Sequence, residues 1–219
     1  MVYQCFVYDK NIYFSEGIKK AISEAFRQQD AVRCSLTDDY DALIAQLENP
    51  VECDARLLIF CDLDTLPQEK LRALNTIRNA YRDTNKKLVI VLSEHNLPLF
   101  LTLYMLLPQA HWLLKSEEVH HLAPFLRGLF ENKSGKERFS HALINYTRNA
   151  LIDGDIRHAV SEKEWWLMEE ILQGKSLSLI ASEVGIDIRR LSYAKRQLMK
   201  KMNIKNNIAL FETFKGIVP

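Results

Sequence analysis

Apolar residues over roughly the first 130 positions fall in two patterns that take turns along the chain. The β-rich run Val2 to Tyr8, the short candidate Val32 to Leu36, the continuous apolar run Leu57 to Cys61, the apolar Leu88 to Leu92 and the short Trp112 to Leu114 predict strands. Between and after them, apolar residues at three- and four-residue spacing predict helices over Ser15 to Arg27, Asp39 to Leu47, Pro67 to Tyr81, Leu97 to Leu107 and Val119 to Phe130. In the first of these helices Ile18, Ala21, Ile22 and Phe26 share one face. Strands that are apolar at consecutive positions are buried on both sides, and strands alternating with helices need crossover connections. The expected N-terminal architecture is α/β, with a doubly wound five-stranded parallel sheet.

The pattern then changes. Glu131 to Glu137 is polar and contains Gly135, Phe139 to Leu151 reads as a connecting helix, and Asp153, Gly154 and Asp155 mark a second break. Beyond it the spacing is helical throughout. Ser161 caps a helix running to Leu172, with Glu164 in capping-box register, and Gly174 ends it. Ser176 to Val184 is a short second helix with Ile180, Ala181 and Val184 inward, closed by Gly185. Asp187 caps a third helix from Ile188 to Lys205 whose apolar side is Leu191, Leu198 and Met202. A last helix, about Asn207 to Phe214, is expected to pack Ile208, Leu210 and Phe211 nearby. The expected division is residues 1–131, a linker with a connecting helix over 132–159, and an all-α helix-turn-helix domain over 160–219.

Composition adds little until it is split. The 219 residues are 47% hydrophobic and 26% charged, with a net charge of +1, all ordinary for a globular protein. From Ser161 onward, however, the chain carries about +3, and what precedes it about −2. The third helix accounts for this. Arg189, Arg190, Lys195, Arg196, Lys200, Lys201 and Lys205 fall between Ile188 and Lys205 with no carboxylate among them. A helix of one charge sign set on a small apolar frame has the properties needed to enter a groove of double-stranded DNA.

The matching residues here are Ser161-Glu162-Lys163-Glu164, Leu167-Met168, Gly174, Ser176, Ile180-Ala181, Val184-Gly185-Ile186, Leu191, Lys201-Met202, Ile204 and Asn206. On them the segment resembles the LuxR/NarL-type (FixJ-like) bacterial DNA-binding domain. Where that family usually has Ser-x-x-Thr-Val-x-x-His, this chain has Asp187-Ile188-Arg189-Arg190-Leu191-Ser192-Tyr193-Ala194, so the usual Thr and His phosphate contacts are missing. Arg190 is suited to replace one of them electrostatically. The resemblance implies that Ser192, Tyr193 and Arg196 face base edges, where an arginine can grip guanine with two hydrogen bonds. Arg189, Arg190, Lys195 and Lys200 are then the phosphate clamps. Lys201 is expected to lay its stem against the domain's own core.

Joined to this module, the N-terminal alternation resembles a flavodoxin-like response-regulator receiver. The resemblance carries the phosphoacceptor position to Asp62, in Leu58-Ile59-Phe60-Cys61-Asp62-Leu63-Asp64, with Ser93 after the fourth strand and Lys115 after the fifth. The acidic pair after the first strand reads Asp9-Lys10. Phosphoryl transfer to a carboxylate needs a divalent cation, and Mg²⁺ needs oxygen ligands. Lys10 replaces one carboxylate with an ammonium suited to neutralise Asp62 directly; the plainer alternative for Asp9, Asp62 and Lys115 is a residual salt-bridge cluster at the sheet's C-terminal edge. A pseudo-receiver used for dimerisation, partner binding or signal sensing is therefore the preferred reading. The alternatives are a phosphorylated two-component regulator, for which Mg²⁺ would be the one cofactor, and an auxiliary modulator acting by heterodimerisation.

Other features narrow the class. There is no cationic region followed by a long apolar run at the N-terminus, and Leu97 to Leu107 is far shorter than a membrane span, so a cytoplasmic protein without a membrane partner is expected. Cys5, Cys34, Cys53 and Cys61 show no CxxC or zinc spacing and read as reduced thiols, with redox sensing at Cys61 the alternative. No nucleophile–base constellation or metal-ligand cluster is expected outside the receiver-like acids, hence neither an enzyme nor a metal protein. Two apolar features stay open: Leu97 to Leu107 as deep core or as a protein–protein surface, and which of the adjacent Trp165 and Trp166 meets another domain. A dimer on two DNA half-sites is the expected assembly.

Overall fold

The computed structural model of the chain describes residues 2–26, 32–49, 55–67, 69–81, 85–131, 139–152, 160–201 and 204–211. Its strands are β1 (Val2–Tyr8), β2 (Val32–Thr37), β3 (Ala55–Asp62), β4 (Lys86–Leu92) and β5 (His111–Leu114). They pair in parallel in the order β2-β1-β3-β4-β5. The helices are α1 (Ile12–Ala25), α2 (Tyr40–Glu48), α3 (Lys70–Ala80), α4 (Phe100–Leu106), α5 (Val119–Glu131), α6 (His141–Ile152), α7 (Glu162–Leu172), α8 (Leu177–Val184) and α9 (Ile188–Lys201). The sheet is the expected doubly wound one. Ile18, Ala21, Ile22, Leu122, Phe125 and Leu126 of α1 and α5 cover one face, and Leu43, Leu47, Leu74, Ile77 and Leu103 of α2 to α4 cover the other.

Several boundaries differ from the expected ones, each for a local reason. Helix α1 begins at Ile12, ahead of Ser15, because the Asn11 side chain accepts hydrogen bonds from the Tyr13 and Phe14 amides. Helix α3 begins at Lys70, after Pro67, because residues 63–66 turn back under the sheet edge, where the Tyr8 hydroxyl donates to the Thr65 carbonyl at 2.9 Å. The Leu97 to Leu107 segment is a 3-10 helix over Glu94–Leu99 followed by α4. Leu97, Phe100, Leu103, Leu106 and Leu107 are core, while Met105 is exposed. Helix α9 stops at Lys201, and Met202 lies outside the described residues, as do Asp153 to Asp155 and residues 212–214 of the last expected helix. Of that helix, 207–211 is helical and only Leu210 among Ile208, Leu210 and Phe211 is buried. Val184 is likewise exposed rather than inward.

Cys5 and Cys61 are buried free thiols and Cys34 is half-buried; Cys53 lies outside the described residues. Burial, then the charges of Asp62 and Asp9, push the Cys61 thiol well above its ordinary value, which disfavours the reactive thiolate. No helix among the described residues is long and apolar enough to cross a membrane.

The C-terminal helices do not stand apart from the sheet. Trp165 and Met168 of α7, Leu198 of α9 and Val160 are buried in the same cluster as Leu71, Leu74, Phe100 and Leu103. Trp165 is wholly buried there and Trp166 only partly, which settles the direction of the pair. Polar contacts among the described residues also cross this seam. The Thr102 hydroxyl donates to the Val160 carbonyl, and the Glu169 carboxylate accepts from the Leu71 amide at 3.0 Å. The second contact has a clear cause. Glu69 at the start of α3 gives no side-chain cap, so an amide of the first turn would be left unpaired, and α7 supplies the missing acceptor.

Candidate nucleic-acid interface and receiver-like pocket

The C-terminal frame is built from local signals. Ser161 accepts from the Glu164 amide while the Glu164 carboxylate accepts from the Ser161 amide, completing the capping box of α7. At the other end Gly174, with φ of +85°, lets the Gly174 amide reach the Ile171 carbonyl and the Lys175 amide reach that of Glu170. Ser176 caps α8 through the Leu179 amide, and Gly185, at φ of +67°, ends it in the left-handed conformation. Two residues later the Asp187 carboxylate accepts from the Arg189 amide at 2.7 Å and starts α9. Leu167, Ile171, Ile180, Ala181 and Leu191 fill the small core beneath.

With Leu191 and Leu198 fixed inward, a rotation of 100° per residue assigns the rest of α9. Arg189, Tyr193, Arg196 and Lys200 form one outward stripe, and all four are exposed. Arg190 is exposed on one flank; Ser192 and Lys195 are half-buried on the other. Arg196 donates from Nε to the Ser192 carbonyl at 3.3 Å, which holds its stem while the outer guanidinium nitrogens project. Lys201 is different. Its ammonium is 2.8 Å from Glu164 and so is tied to the α7 cap instead of merely laying its stem on the core. Burial works against the Glu164 charge, but the Lys201 ammonium and the Ser161 donors outweigh it and hold the carboxyl below its usual range.

The receiver-like acids meet where β1 and β3 separate, at the carboxyl edge of the sheet, the switch point at which doubly wound sheets open a crevice. Asp62 ends β3 and is 2% exposed; Asp9 follows β1 and is 7% exposed. Lys115, after β5, places its ammonium 2.9 Å from Asp62 Oδ1 and 3.1 Å from Asp64 Oδ2. Phe14 covers that ammonium, with its ring centre 5.6 Å away. Thr65 donates to Asp62 Oδ2 at 2.7 Å, and the Asp64 amide donates to Asp62 Oδ1 at 3.3 Å. Ser93 donates to Asp64 and not to Asp62, and Asn96 donates to the other Asp64 oxygen at 2.5 Å. Burial opposes the Lys115 charge, but Asp62, Asp64 and Asp9 together hold its pKa above the ordinary value.

The expectation for Lys10 is corrected here. Its side chain is exposed and its backbone amide donates to Thr65, so the cation that neutralises Asp62 is Lys115, which follows the fifth strand. Asp64 and Lys70 are site residues that sequence reasoning left without a role. The wholly buried Lys70 reaches the Asp64 carbonyl at 3.5 Å, and burial lowers its pKa to about 8 against the pull of Asp64, Asp62 and Glu169. The only signal for Asp64 was its place two residues after Asp62. Outside this pocket, Glu118, His120 and His121 lie close enough to hold a metal ion, contrary to the expectation of no such cluster.

The pocket does not fit Mg²⁺ in this arrangement. Both Asp62 oxygens are already engaged by protein donors, an ammonium holds the Asp62–Asp64 pair, and the position beside Asp9 is a lysine. Asp9 Oδ2 is buried without a hydrogen-bond partner, but burial raises that carboxyl to about 6, which weakens it as an anionic ligand.

Residues 158–213 match the family model described as bacterial regulatory proteins, luxR family, and the C-terminal domain is of that family. No curated protein sequence matches the chain. Over nearly its full length the chain has the fold of solved RcsB structures from Salmonella enterica serovar Typhimurium. That of RcsB bound to promoter rprA with phosphomimetic BeF3⁻ has 20% identity and a TM-score of 0.60, covering 97% of this chain and 98% of that one. That of RcsB bound to promoter P1flhDC, also with BeF3⁻, has 20% identity and a TM-score of 0.55, covering 98% of each.

Proposed function

We propose that the protein is a cytoplasmic transcription regulator that binds double-stranded DNA as a dimer. In this reading, the receiver-like domain serves association and sensing in place of conventional phosphorylation. The observation that carries the reading is the outward stripe of Arg189, Tyr193, Arg196 and Lys200 on a helix without a carboxylate of its own. Such a face lowers its energy by replacing condensed counterions on phosphate oxygens. Arg196 and Tyr193 reach base edges, with Ser192 at the margin, while Arg189, Arg190, Lys195 and Lys200 hold the backbone. The promoter-bound RcsB structures support the DNA assignment, and the RcsB dimers bound to two parallel DNAs support the dimeric one.

Two measurements test it. Gel-shift titration of the purified protein alone, across salt, should give a steep salt dependence and a preferred site; binding that appears only after another regulator is added would replace this reading with the modulator one. Incubation with Mg²⁺ and a small phosphodonor, read by intact mass, should leave the chain unmodified, because Lys115, Thr65 and the Asp64 amide occupy the Asp62 oxygens. A stable phosphate on Asp62 would restore the phosphorylated-switch reading, which the unpartnered Asp9 Oδ2 favours.

A further inference from the structure

We infer that Glu118, His120, His121 and His141 form a binding site for a divalent transition-metal ion, with zinc the best match. It is independent of both the DNA face and the acidic pocket. The metal-binding atoms of Glu118, His120 and His121 all lie within 4.8 Å of one another at the start of α5. His120 Nδ1 is 3.1 Å from a Glu118 oxygen. The His120 and His121 rings are 3.9 Å apart between centres, and His141 at the start of α6 adds a third ring, 4.0 Å from His121. Adjacent residues on a helix ordinarily diverge by about 100°. Two ring contacts in series, His120 to His121 and His121 to His141, beside the Glu118 carboxylate are therefore a convergence that the helix alone does not impose.

The position of His141 is built into the fold. The Ser140 amide donates to the Trp112 carbonyl at 2.9 Å, and the Ser140 hydroxyl accepts from the Leu114 amide at 3.2 Å, so α6 starts against β5. The Glu117 carboxylate accepts from the Ala142 amide at 2.8 Å and holds the two helix starts together. Asn145 approaches the His141 ring from the next turn at 3.4 Å.

The donor set selects the ion. Three neutral imidazoles and a carboxylate, with no thiolate, suit zinc in tetrahedral coordination, whereas Mg²⁺ and Ca²⁺ want oxygen ligands throughout. Zinc–nitrogen bonds of about 2.0–2.1 Å put tetrahedral ligand atoms roughly 3.4 Å apart. Donors within 4.8 Å approach that spacing by side-chain rotation of Glu118, His120 and His121, and His141, in ring contact with His121, must rotate toward them to complete the set. Glu118, His120 and His141 are exposed, so an ion from solution has a path to them. A bound ion would join α5 to α6 and brace the connecting helix against the sheet.

The test uses the untagged full-length chain, stripped with chelator and titrated with ZnCl2 by calorimetry, with Co²⁺ absorption as a readout of coordination. One zinc per chain at micromolar affinity is expected, with visible Co²⁺ bands of tetrahedral strength. His121→Ala, His120→Ala and His141→Ala should each weaken binding at least tenfold without changing the circular dichroism spectrum, and Asp62→Asn should leave it unchanged. The inference is overturned if the native chain takes up no zinc at micromolar concentration. It is equally overturned if the histidine variants bind as tightly as the native chain, or if Asp62→Asn abolishes uptake and thereby places the ion in the acidic pocket.

Discussion

Lys200 and Lys201 are neighbours in sequence whose ammonium groups face different tasks, and DNA binding should separate them. Lys200 is exposed on the outward stripe of α9, whereas the Lys201 ammonium is 2.8 Å from Glu164 in the α7 capping box. Each phosphate contact on duplex DNA contributes about −0.9 to the slope of log affinity against log salt. Raising salt fourfold, as from about 50 to 200 mM, therefore costs roughly 3.5-fold in affinity per contact per protomer. Lys200→Ala should flatten the slope by about 0.9 per protomer on any DNA sequence. Lys201→Ala should leave the slope unchanged and instead destabilise the domain by about 0.2–1 kcal/mol, the range for a pair partly open to water. The Ser161 donors that remain on Glu164 keep that cost low. Fluorescence anisotropy at four or more salt concentrations, paired with urea melts, measures both. If Lys201→Ala flattens the slope as much as Lys200→Ala does, the ion pair opens on DNA and the assignment of charges on α9 fails.

Arg196→Ala should cost about 1–3 kcal/mol on the preferred site and relax discrimination at one base pair; an equal loss on every sequence would make Arg196 a phosphate contact. Glu169 supplies a pH prediction. Burial raises its carboxyl to about 7 despite the Leu71 amide, so between the ordinary value near 4.5 and about 7 the folded chain holds a proton that the unfolded chain has released. This contribution to stability is complete below about pH 4.5 and is lost as pH rises through 7, up to about 3 kcal/mol in all. Asp9 titrates in part of the same window, so the quantity to read is native minus Glu169→Gln in urea melts from pH 4.5 to 8. The amide keeps an acceptor for Leu71 and removes the titration; parallel curves for the two proteins would refute the assignment.

What the sequence made legible were features whose cause lies within a few residues. The Ser161–Glu164 capping box, the Gly174 and Gly185 helix ends, and the Asp187 cap are all settled over three or four positions, and each appears where the spacing placed it. The apolar runs of β3 and β4 became central strands because burial on both faces selects for such runs whatever the neighbours are, while the edge strand β2 alternates half-buried and exposed positions. What depended on distant parts of the chain was illegible. Nothing near Glu69 announces that Glu169 will cap α3, and only the alternative that grouped Asp9, Asp62 and Lys115 as a salt-bridge cluster placed Lys115 beside Asp62. Val184 satisfied the inward spacing of α8 but is exposed, since a helix of eight residues has room for few core positions. His120 and His121 carried no signal without His141, which only the return of the chain along β5 brings beside them.

The two charged regions differ in whether the protein answers its own charge. In the pocket, Asp62 and Asp64 share Lys115, and Lys70 stands behind Asp64; separating a buried carboxylate from such a partner leaves an uncompensated charge, which costs far more than the pair contributes. An incoming phosphoryl group or metal ion would have to displace that internal cation before gaining a contact of its own. On α9 the reverse holds: apart from Lys201, its cations pair with no carboxylate among the described residues, so an external polyanion meets no competitor there. The pocket is nevertheless not insulated from the C-terminal domain. Lys70 lies at the start of α3, between the Asp64 carbonyl and the field of Glu169, and Glu169 is the acceptor that α7 lends to that same helix start. Any change of charge at Asp64 therefore acts on Lys70, and through it on the contact by which α7 is held to α3. If the receiver-like domain informs the DNA-binding domain, Asp64, Lys70 and Glu169 form one route between them, and it runs through Asp64 and Lys70 even when no group is transferred to Asp62.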